Sequence, residues 1–516
     1  MELTLSRLLA AWPALRVEGE SGVAVRGVTT DSRQAGPGVL FVAVRGAATD
    51  GHAFVADAVA AGAAAVVVGA SRRAQLPLDV GAGRPAAVVV AEDTAGLPSL
   101  LARELGGRPD ERLVVAGVTG TNGKTTVAFL MKALLAELAG PCGLLGTVRY
   151  DTGRSLRPAP LTTPDGPTLF GLFTEMVEAG ARAASLEISS HALDQQRAAG
   201  LTLDVAVMTN LGRDHLDYHA DLAAYRAAKL RILDLLRPSA TRAKAAGTVV
   251  WNAADPAFAA IPALASSLRT ISFSTRAASS AAVAADVQVL RAQLNASGTR
   301  LELLALGEQV VVDSPLVGRF NVENLTAALA AGVALGYAPA RCAAALAGAE
   351  QVPGRLERIA LPDGAVAVID YAHTPDALAA AARAGRELAT GRLLLVFGCG
   401  GDRDRGKRPL MGAVAAREAD AVWITSDNPR GEEPAAICRA IAAGFVAEIE
   451  RRARTVETIV DRRGAITAAL AAAREGDVVL IAGKGHEDYQ LIGDRRLAFD
   501  DRLEVRKWIE REGGHA

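Results

Sequence analysis

Gly117-Val118-Thr119-Gly120-Thr121-Asn122-Gly123-Lys124-Thr125-Thr126 has the residue types and spacing to hold a phosphate chain. A glycine-rich turn that opens a helix points backbone N–H groups at an anion, at the positive end of the helix dipole. Lys124 can reach the β- and γ-phosphates, and the Thr125 hydroxyl can ligate Mg²⁺. The strict pattern G-x-x-x-x-G-K-[ST] would place glycine at 118, where this chain has Val118. An apolar run over 113–116 before the turn and a helical pattern over 127–138 after it favour nucleotide binding over an ordinary turn. Gly117, Gly120, Thr121, Asn122, Gly123, Lys124, Thr125 and Thr126 are the candidate ATP or GTP site.

Other chemistry-bearing residues gather where apolar runs end. Glu187 closes one such run in Leu186-Glu187-Ile188-Ser189-Ser190-His191. The polar stretch 209–219, with Asn210, Asp214, His215 and His219, follows another. Mg²⁺ takes oxygen ligands and bridges phosphate oxygens with one or two carboxylates. Glu187 and Thr125 suit one such site, and His215 a second metal. No cysteine and no H-E-x-x-H pattern accompanies the histidines, so zinc does not follow. Lys229, in Tyr225-Arg226-Ala227-Ala228-Lys229, reads on its helical pattern as a solvated lysine. In the last third, four apolar runs end in Asp370-Tyr371-Ala372-His373 and in polar stretches at 398–405, 426–430 and 483–487. Ligand sites of open α/β sheets lie beyond the carboxyl ends of the strands. The glycines at 398, 400 and 401 lack the G-x-G-x-x-G spacing, so NAD is not expected.

These residues need a scaffold of strands. At ~150 residues per domain, 516 residues suggest about three domains. Apolar strands at 39–44 and 64–68 mark a first domain over 1–109, closed by Gly106-Gly107-Arg108-Pro109. Strands at 184–188, 205–208 and 248–251 alternate with helical patterns such as 222–236, which predicts a parallel α/β sheet over 110–351. The Ala/Ser stretch 276–285 reads as a loop or insertion, and Val352-Pro353-Gly354 as a second boundary. Strands at 366–369, 393–397, 421–425 and 478–481 predict a Rossmann-like α/β domain over 352–516. Half the residues are hydrophobic but only 4% aromatic, so the core must be built from Ala, Val, Leu and Ile. A net charge of −1 argues against a polyanion-binding surface, and no nucleic-acid partner is expected. The 4 cysteines are scattered without a C-x-x-C pair, which excludes a zinc ribbon and suits reduced cytosolic thiols. Glu2 and Arg7 interrupt the first apolar residues, unlike a signal peptide, and runs such as 63–70 are too short to span a bilayer. A soluble cytoplasmic protein is expected.

The phosphate loop, Glu187, the stretch 210–219 and Tyr225 to Lys229 resemble the Mur ligases, the ATP-dependent amino-acid ligases of peptidoglycan precursor synthesis. That family's loop has the form G-T-x-G-K-T, which accommodates Val118. Thr30-Asp31-Ser32-Arg33, Leu161-Thr162-Thr163-Pro164-Asp165, Gly318-Arg319-Phe320-Asn321, Gly354-Arg355 and Asp370 to Asp376 extend the resemblance in chain order. Gly401-Asp402-Arg403-Asp404, Asp427-Asn428-Pro429-Arg430 and Gly483-Lys484-Gly485-His486-Glu487 complete it, and the set is similar to the branch that adds the third residue of the stem peptide.

The resemblance implies catalytic roles for Lys124, Glu187, His215 and Lys229, with Thr125, Glu187, His215 and Lys229 holding two Mg²⁺, the lysine as a CO₂-derived carbamate. It adds Asn210, Asn321 and Arg355 to the ATP site. It implies that UDP-MurNAc-L-Ala-D-Glu is held by Thr30, Ser32, Ala47, Ala48, Thr49, Thr162, Thr163, Ser189, Gln195 and Arg197, the UDP end by the N-terminal domain. It gives meso-diaminopimelate to Arg403, Asp427, Asn428, Pro429, Arg430, Gly483 and Glu487. The chemistry agrees, because meso-diaminopimelate differs from lysine by a carboxylate that Arg430 can clamp with two hydrogen bonds, and Arg403 can clamp the other. A monomer is expected. A lysine-adding relative would lack Arg430. A folylpolyglutamate-synthetase-like ligase is disfavoured by Ser32, Thr162-Thr163 and the N-terminal domain. A non-catalytic ATP-binding scaffold would be expected to have lost Lys124, Glu187 or His215.

Overall fold

The phosphate loop hangs from the middle of a sheet. Its leading strand, Val114–Thr119, lies between Ala183–Glu187 and Val205–Met208, parallel to both. The register sets Glu187 opposite Val118 and Met208 opposite Thr119, so three carboxyl ends open side by side at the loop. The computed structural model describes residues 2–46, 49–76, 78, 85–212, 214–215, 218–237, 244–276, 285–295 and 297–513. Ala47, Ala48 and the stretch 277–284 lie outside the described residues.

The chain forms two compact units, one of residues 1–290, 303–310 and 323–346, the other of 291–302, 311–322 and 347–516. In the first, the sheet order runs Leu156–Pro158, Arg149–Asp151, Cys142–Leu145, Ala183–Glu187, Val114–Thr119, Val205–Met208, Thr248–Asn252, Arg269–Ser274. The parallel α/β sheet expected over this stretch is present, and Arg149–Asp151 and Leu156–Pro158 add an antiparallel edge to it. The links before each of these strands are tight turns, whereas a parallel return needs a crossover of a dozen or more residues. Val287–Asn295, Gly298–Ala305 and Glu308–Ser314 continue the order, and the boundary between the units runs through them.

The N-terminal strands form their own sheet, ordered Arg16–Gly19, Ala87–Ala91, Ala65–Gly69, Val39–Val42, Gly27–Thr29. Its inner strands are apolar on both faces. Leu40, Val42, Val67 and Val89 pack on one side, Phe41, Val66, Val68 and Val88 on the other.

The second unit holds a sheet ordered Glu357–Ala360, Val366–Asp370, Val478–Ala482, Leu393–Phe397, Ala421–Ile424, Thr455–Thr458, with only its first strand antiparallel. Val368, Leu395 and Leu480 face one core layer, and Ile369, Val396 and Ile481 the other. Among the described residues no helix is long and apolar enough to cross a membrane.

Candidate active site

At Gly120 the backbone takes φ 154°, and a side chain there would collide with Thr209 Oγ1. Only glycine fits. The next strand end clasps the loop. Asn210 Oδ1 accepts from Asn122 N at 2.9 Å, Asn210 O accepts from Thr121 N at 2.8 Å, and Thr209 Oγ1 donates to Asn122 O at 2.7 Å. Asn210 is itself fixed by Glu323, whose Oε1 accepts from Nδ2 at 2.9 Å. The helix starts at Lys124, so Thr125 and Thr126 lie in its first turn, both buried. Gly117 lies inside the strand and packs against Ile188 and Leu203, which makes it a packing residue of the loop's support.

Glu187 is 1% exposed, and its carboxylate accepts three hydrogen bonds. Thr125 Oγ1 donates to Oε2 at 3.0 Å, Thr147 N to Oε1 at 2.7 Å and Thr147 Oγ1 to Oε2 at 3.1 Å. The adjacent threonines continue the network. Thr162 Oγ1 lies 3.1 Å from Thr147 Oγ1, and Thr163 Oγ1 donates to Glu187 O at 2.9 Å while accepting from Ser189 N at 3.0 Å. Arg197 donates to Gln195 Oε1 at 2.9 and 2.6 Å and to Thr163 O at 3.3 Å. The structure thus brings Thr125, Glu187, Thr162, Thr163, Ser189, Gln195 and Arg197 into one hydrogen-bonded run.

Lys229 departs from its helical pattern. Its side chain is 1% exposed, and Nζ donates to Gly120 O at 2.7 Å. Lys124 Nζ donates to the same carbonyl at 2.8 Å and to Thr121 O at 2.8 Å. Burial, then the nearby Lys124 charge, pull the Lys229 ammonium down to about 6. Tyr225 floors the pocket, with its ring 4.4 Å from Lys229 Nζ and its hydroxyl 3.2 Å from Thr121 Oγ1. The helix bearing Lys229 spans Leu222–Leu230 and tightens to a 3₁₀ turn over Arg231–Leu235, shorter than the helix predicted to 236.

His215 takes φ 53° and stacks edge-on to His191 at 4.9 Å, and His219 Nε2 lies 3.0 Å from Ser190 Oγ. Among the described residues no group of three or more His, Cys, Asp or Glu is placed to hold a metal. Mg²⁺ does not demand one, since it keeps waters and takes phosphate oxygens beside one or two carboxylates. In the N-terminal sheet region Thr30 and Thr49 are exposed and Ser32 half-buried, with Asp31 capping the short turn Ser32–Gln34.

In the second unit, Asn428 Nδ2 donates to Glu487 Oε2 at 2.8 Å. Lys484, fully buried, bridges the pair, 3.3 Å from Asn428 Oδ1 and 3.2 Å from Glu487 Oε2. Arg430 sits at φ 52° and donates to Gly401 O at 2.9 Å. Its Nη1 lies 2.9 Å, and Arg403 Cγ 3.9 Å, from where a Cβ on Gly400 would stand, so both arginines flank one glycine. Asp427, Pro429 and Gly483 are buried around this cluster, with Asp427 Oδ2 against Gly483. Arg355 lies over the Tyr371 ring at 4.8 Å, and Asn321 Nδ2 donates to Val317 O at 2.7 Å. Burial pushes the Asp370 carboxyl up, while Arg355 and the N–H groups of Leu356 and Ala372 oppose it.

Sequence reasoning missed Thr147, Glu323 and the buried Arg462, and gave no role to Lys484, which it quoted only within the stretch 483–487. Thr147 follows a strand end, as the other site residues do, and that position was the available signal. Arg462 pairs with Asp501 at 2.8 and 2.7 Å and donates to Ala482 O at 3.0 Å, bracing a strand end that borders the Asn428 cluster.

The chain is similar to known proteins along most of its length. Residues 24–95 match the Mur ligase family catalytic domain, 118–332 the Mur ligase middle domain, and 354–485 the Mur ligase glutamate ligase domain. The UDP-N-acetylmuramoyl-L-alanyl-D-glutamate--2,6-diaminopimelate ligase of Geobacter sulfurreducens is 40% identical over 95% of this chain and 96% of its own. The protein of the same name from Geobacillus kaustophilus is 40% identical over 99% of this chain and all (100%) of its own. A solved structure of a protein of that name superposes with TM-score 0.69 at 32% identity, covering 99% of this chain and 100% of that one.

Proposed function

The chain belongs to the Mur ligase family, and from that premise we propose that it joins meso-2,6-diaminopimelate to the D-glutamyl γ-carboxylate of UDP-MurNAc-L-Ala-D-Glu, driven by ATP. In this reading residues 1–109 take the UDP end, 110–351 the ATP and 352–516 the amino acid, in a monomeric cytoplasmic enzyme. The choice of amino acid rests above all on Arg430 and Arg403 flanking Gly400, beside the Asn428–Glu487 pair. Two guanidiniums suit a ligand with two carboxylates, and lysine has only one.

The carboxylate attacks the γ-phosphorus, ADP leaves, and an acyl phosphate forms. The diaminopimelate amine attacks its carbonyl carbon, phosphate departs with the bonding pair, and the amide nitrogen loses a proton. Phosphoryl transfer is catalysed by positioning and charge neutralisation. The loop N–H groups cradle the phosphates, and Lys124 releases its loop carbonyls to meet the transferring group. Thr162, Thr163, Ser189, Gln195 and Arg197 fix the dipeptide.

Lys229 has the chemistry that the metal site needs. CO₂ adds only to a neutral amine, and a buried lysine held down to about 6 is neutral at pH 7. The carbamate so formed, with Thr125, Glu187 and His215, would hold two Mg²⁺, which would neutralise charge on the phosphoryl group. The test is mass spectrometry of the product made from the UDP-dipeptide and ATP with meso-diaminopimelate and lysine in competition. The diaminopimelate tripeptide should dominate. Equal incorporation of lysine, or phosphate release without any amino acid, would overturn the reading.

A further inference from the structure

Thr147 touches both the residue assigned to the metal and a residue assigned to the dipeptide. Gly146 and Thr147 follow the strand Cys142–Leu145, and Gly146 lies so close to the Glu187 carboxylate that any side chain would collide with it. The turn is therefore moulded onto Glu187. Thr147 grips the carboxylate twice, through its N–H at 2.7 Å and its hydroxyl at 3.1 Å, and the same hydroxyl lies 3.1 Å from Thr162 Oγ1.

A hydroxyl has one proton and two lone pairs. A carboxylate only accepts, so the Thr147 proton goes to Glu187. The Thr162–Thr147 bond must then use the Thr162 proton. The chain runs one way, Thr162 to Thr147 to Glu187. In this state Thr162 offers a ligand lone pairs alone. Thr163 has likewise given its proton to Glu187 O. An anionic substrate group would meet acceptors at both threonines, which is repulsive.

Resting on the ligase reading, we propose that Thr147 is a positioning residue that couples cation binding at Glu187 to binding of the dipeptide's carboxylate. When Glu187 Oε2 turns to a cation, Thr147 rotates its proton to Thr162. Thr162 then points its own proton outward and donates to the carboxylate. The relay transfers no net proton and breaks no covalent bond. It exchanges one charge-assisted hydrogen bond for another, and such bonds are about twice as strong as neutral ones. Linkage requires the effect to be reciprocal.

The test is calorimetric titration of UDP-MurNAc-L-Ala-D-Glu into the full chain saturated with a non-hydrolysable ATP analogue, with and without MgCl₂. Mg²⁺ should tighten dipeptide binding at least about fivefold in the wild type, the lower end of typical coupling. Thr147→Val keeps the backbone N–H and the side-chain shape, and should bind the dipeptide equally with and without Mg²⁺. Thr147→Ser should restore the coupling, which a purely structural role would not explain. Coupling retained in Thr147→Val, or lost equally in Thr147→Ser, overturns the relay while leaving the ligase reading intact. A wild type that does not bind the dipeptide under either condition overturns the ligase reading and the relay with it.

Discussion

Lys229→Met should make the protein more stable and useless as a ligase. The amine is 1% exposed and its pKa falls from 10.5 to about 6. Keeping it neutral at pH 7 therefore costs about 5 kcal/mol, from 3.5 units at ~1.4 kcal/mol each. Methionine removes that cost and fills a similar volume. The variant forfeits the hydrogen bond to Gly120 O, worth about 1 kcal/mol, and some packing. A net gain of roughly 2–4 kcal/mol remains, enough to raise the melting temperature by at least a few degrees. The sign with pH is fixed. Between about 6 and 10.5 the unfolded chain binds one more proton at this site than the folded chain, so wild-type stability rises with pH. The variant lacks that slope, and its advantage should shrink by about 1.4 kcal/mol per pH unit across this window. Calorimetry in CO₂-free buffer from pH 6.5 to 9 reads both effects. A variant no more stable than wild type at pH 7, or a gap that ignores pH, would refute the burial argument.

Three further outcomes follow from the geometry. Arg430→Ala should lose about 30-fold or more of the preference for meso-diaminopimelate over lysine, read as the ratio of tripeptide products in competition, since truncating one partner of a charge pair that the bound ligand desolvates costs about 2 kcal/mol or more. Gly120→Ala sets a Cβ against Thr209 Oγ1 at φ 154° and should weaken nucleotide binding about 100-fold, measured with a fluorescent ATP analogue; unchanged affinity would mean the loop relaxes freely. Arg462→Ala leaves Asp501 buried without its partner and should cost about 3–5 kcal/mol, whereas the double change Arg462→Met with Asp501→Leu should cost far less on the same calorimetric scan.

Where a strand is a pure apolar run, the sequence located it closely. The strands at 205–208 and 393–397 match the runs residue for residue. The loop helix begins at Lys124, ahead of the pattern at 127, because Thr125 and Thr126 are buried by the turn without being apolar. The antiparallel edge was illegible for the opposite reason. Leu156–Pro158 is exposed throughout, so no face of it is marked by hydrophobicity. The candidate site was legible as clusters at strand ends, since topology gathers the ends of a sheet's parallel strands whatever lies between them. The work of each residue was less legible. Lys229 lies 109 residues from the carbonyl it meets, and nothing in its own helix announces burial. Thr147 carries no motif and is defined only by what surrounds it.

Two of the buried cations, Arg462 and Lys229, show the difference. Arg462 is enclosed with a carboxylate that meets it twice and two carbonyls that each take a further proton, which is how a charge survives in a core. Lys229 is cut off from water beside the Lys124 ammonium, and the carbonyl it shares with that amine and the face of Tyr225 offset only part of the cost. The first environment stabilises a charge, and the second expels one. A core built only for stability would have no reason to keep the second, because an apolar side chain would sit there at lower free energy. Retaining it makes sense where a neutral amine is needed beside a phosphate loop at neutral pH. In the proposed reading, the burial that destabilises the fold is the same burial that would make the nitrogen a nucleophile toward CO₂, so the two properties cannot be separated by substitution at 229. They can be separated at Tyr225, whose ring contributes to the enclosure without supplying the nitrogen. Tyr225→Ala should let water reach Lys229, raise its pKa toward the ordinary value of 10.5, and reduce carbamate formation while the lysine itself remains in place. Carbon-13 NMR with labelled bicarbonate would report the carbamate directly, and an undiminished signal in that variant would show that enclosure by Tyr225 is not what keeps the amine neutral.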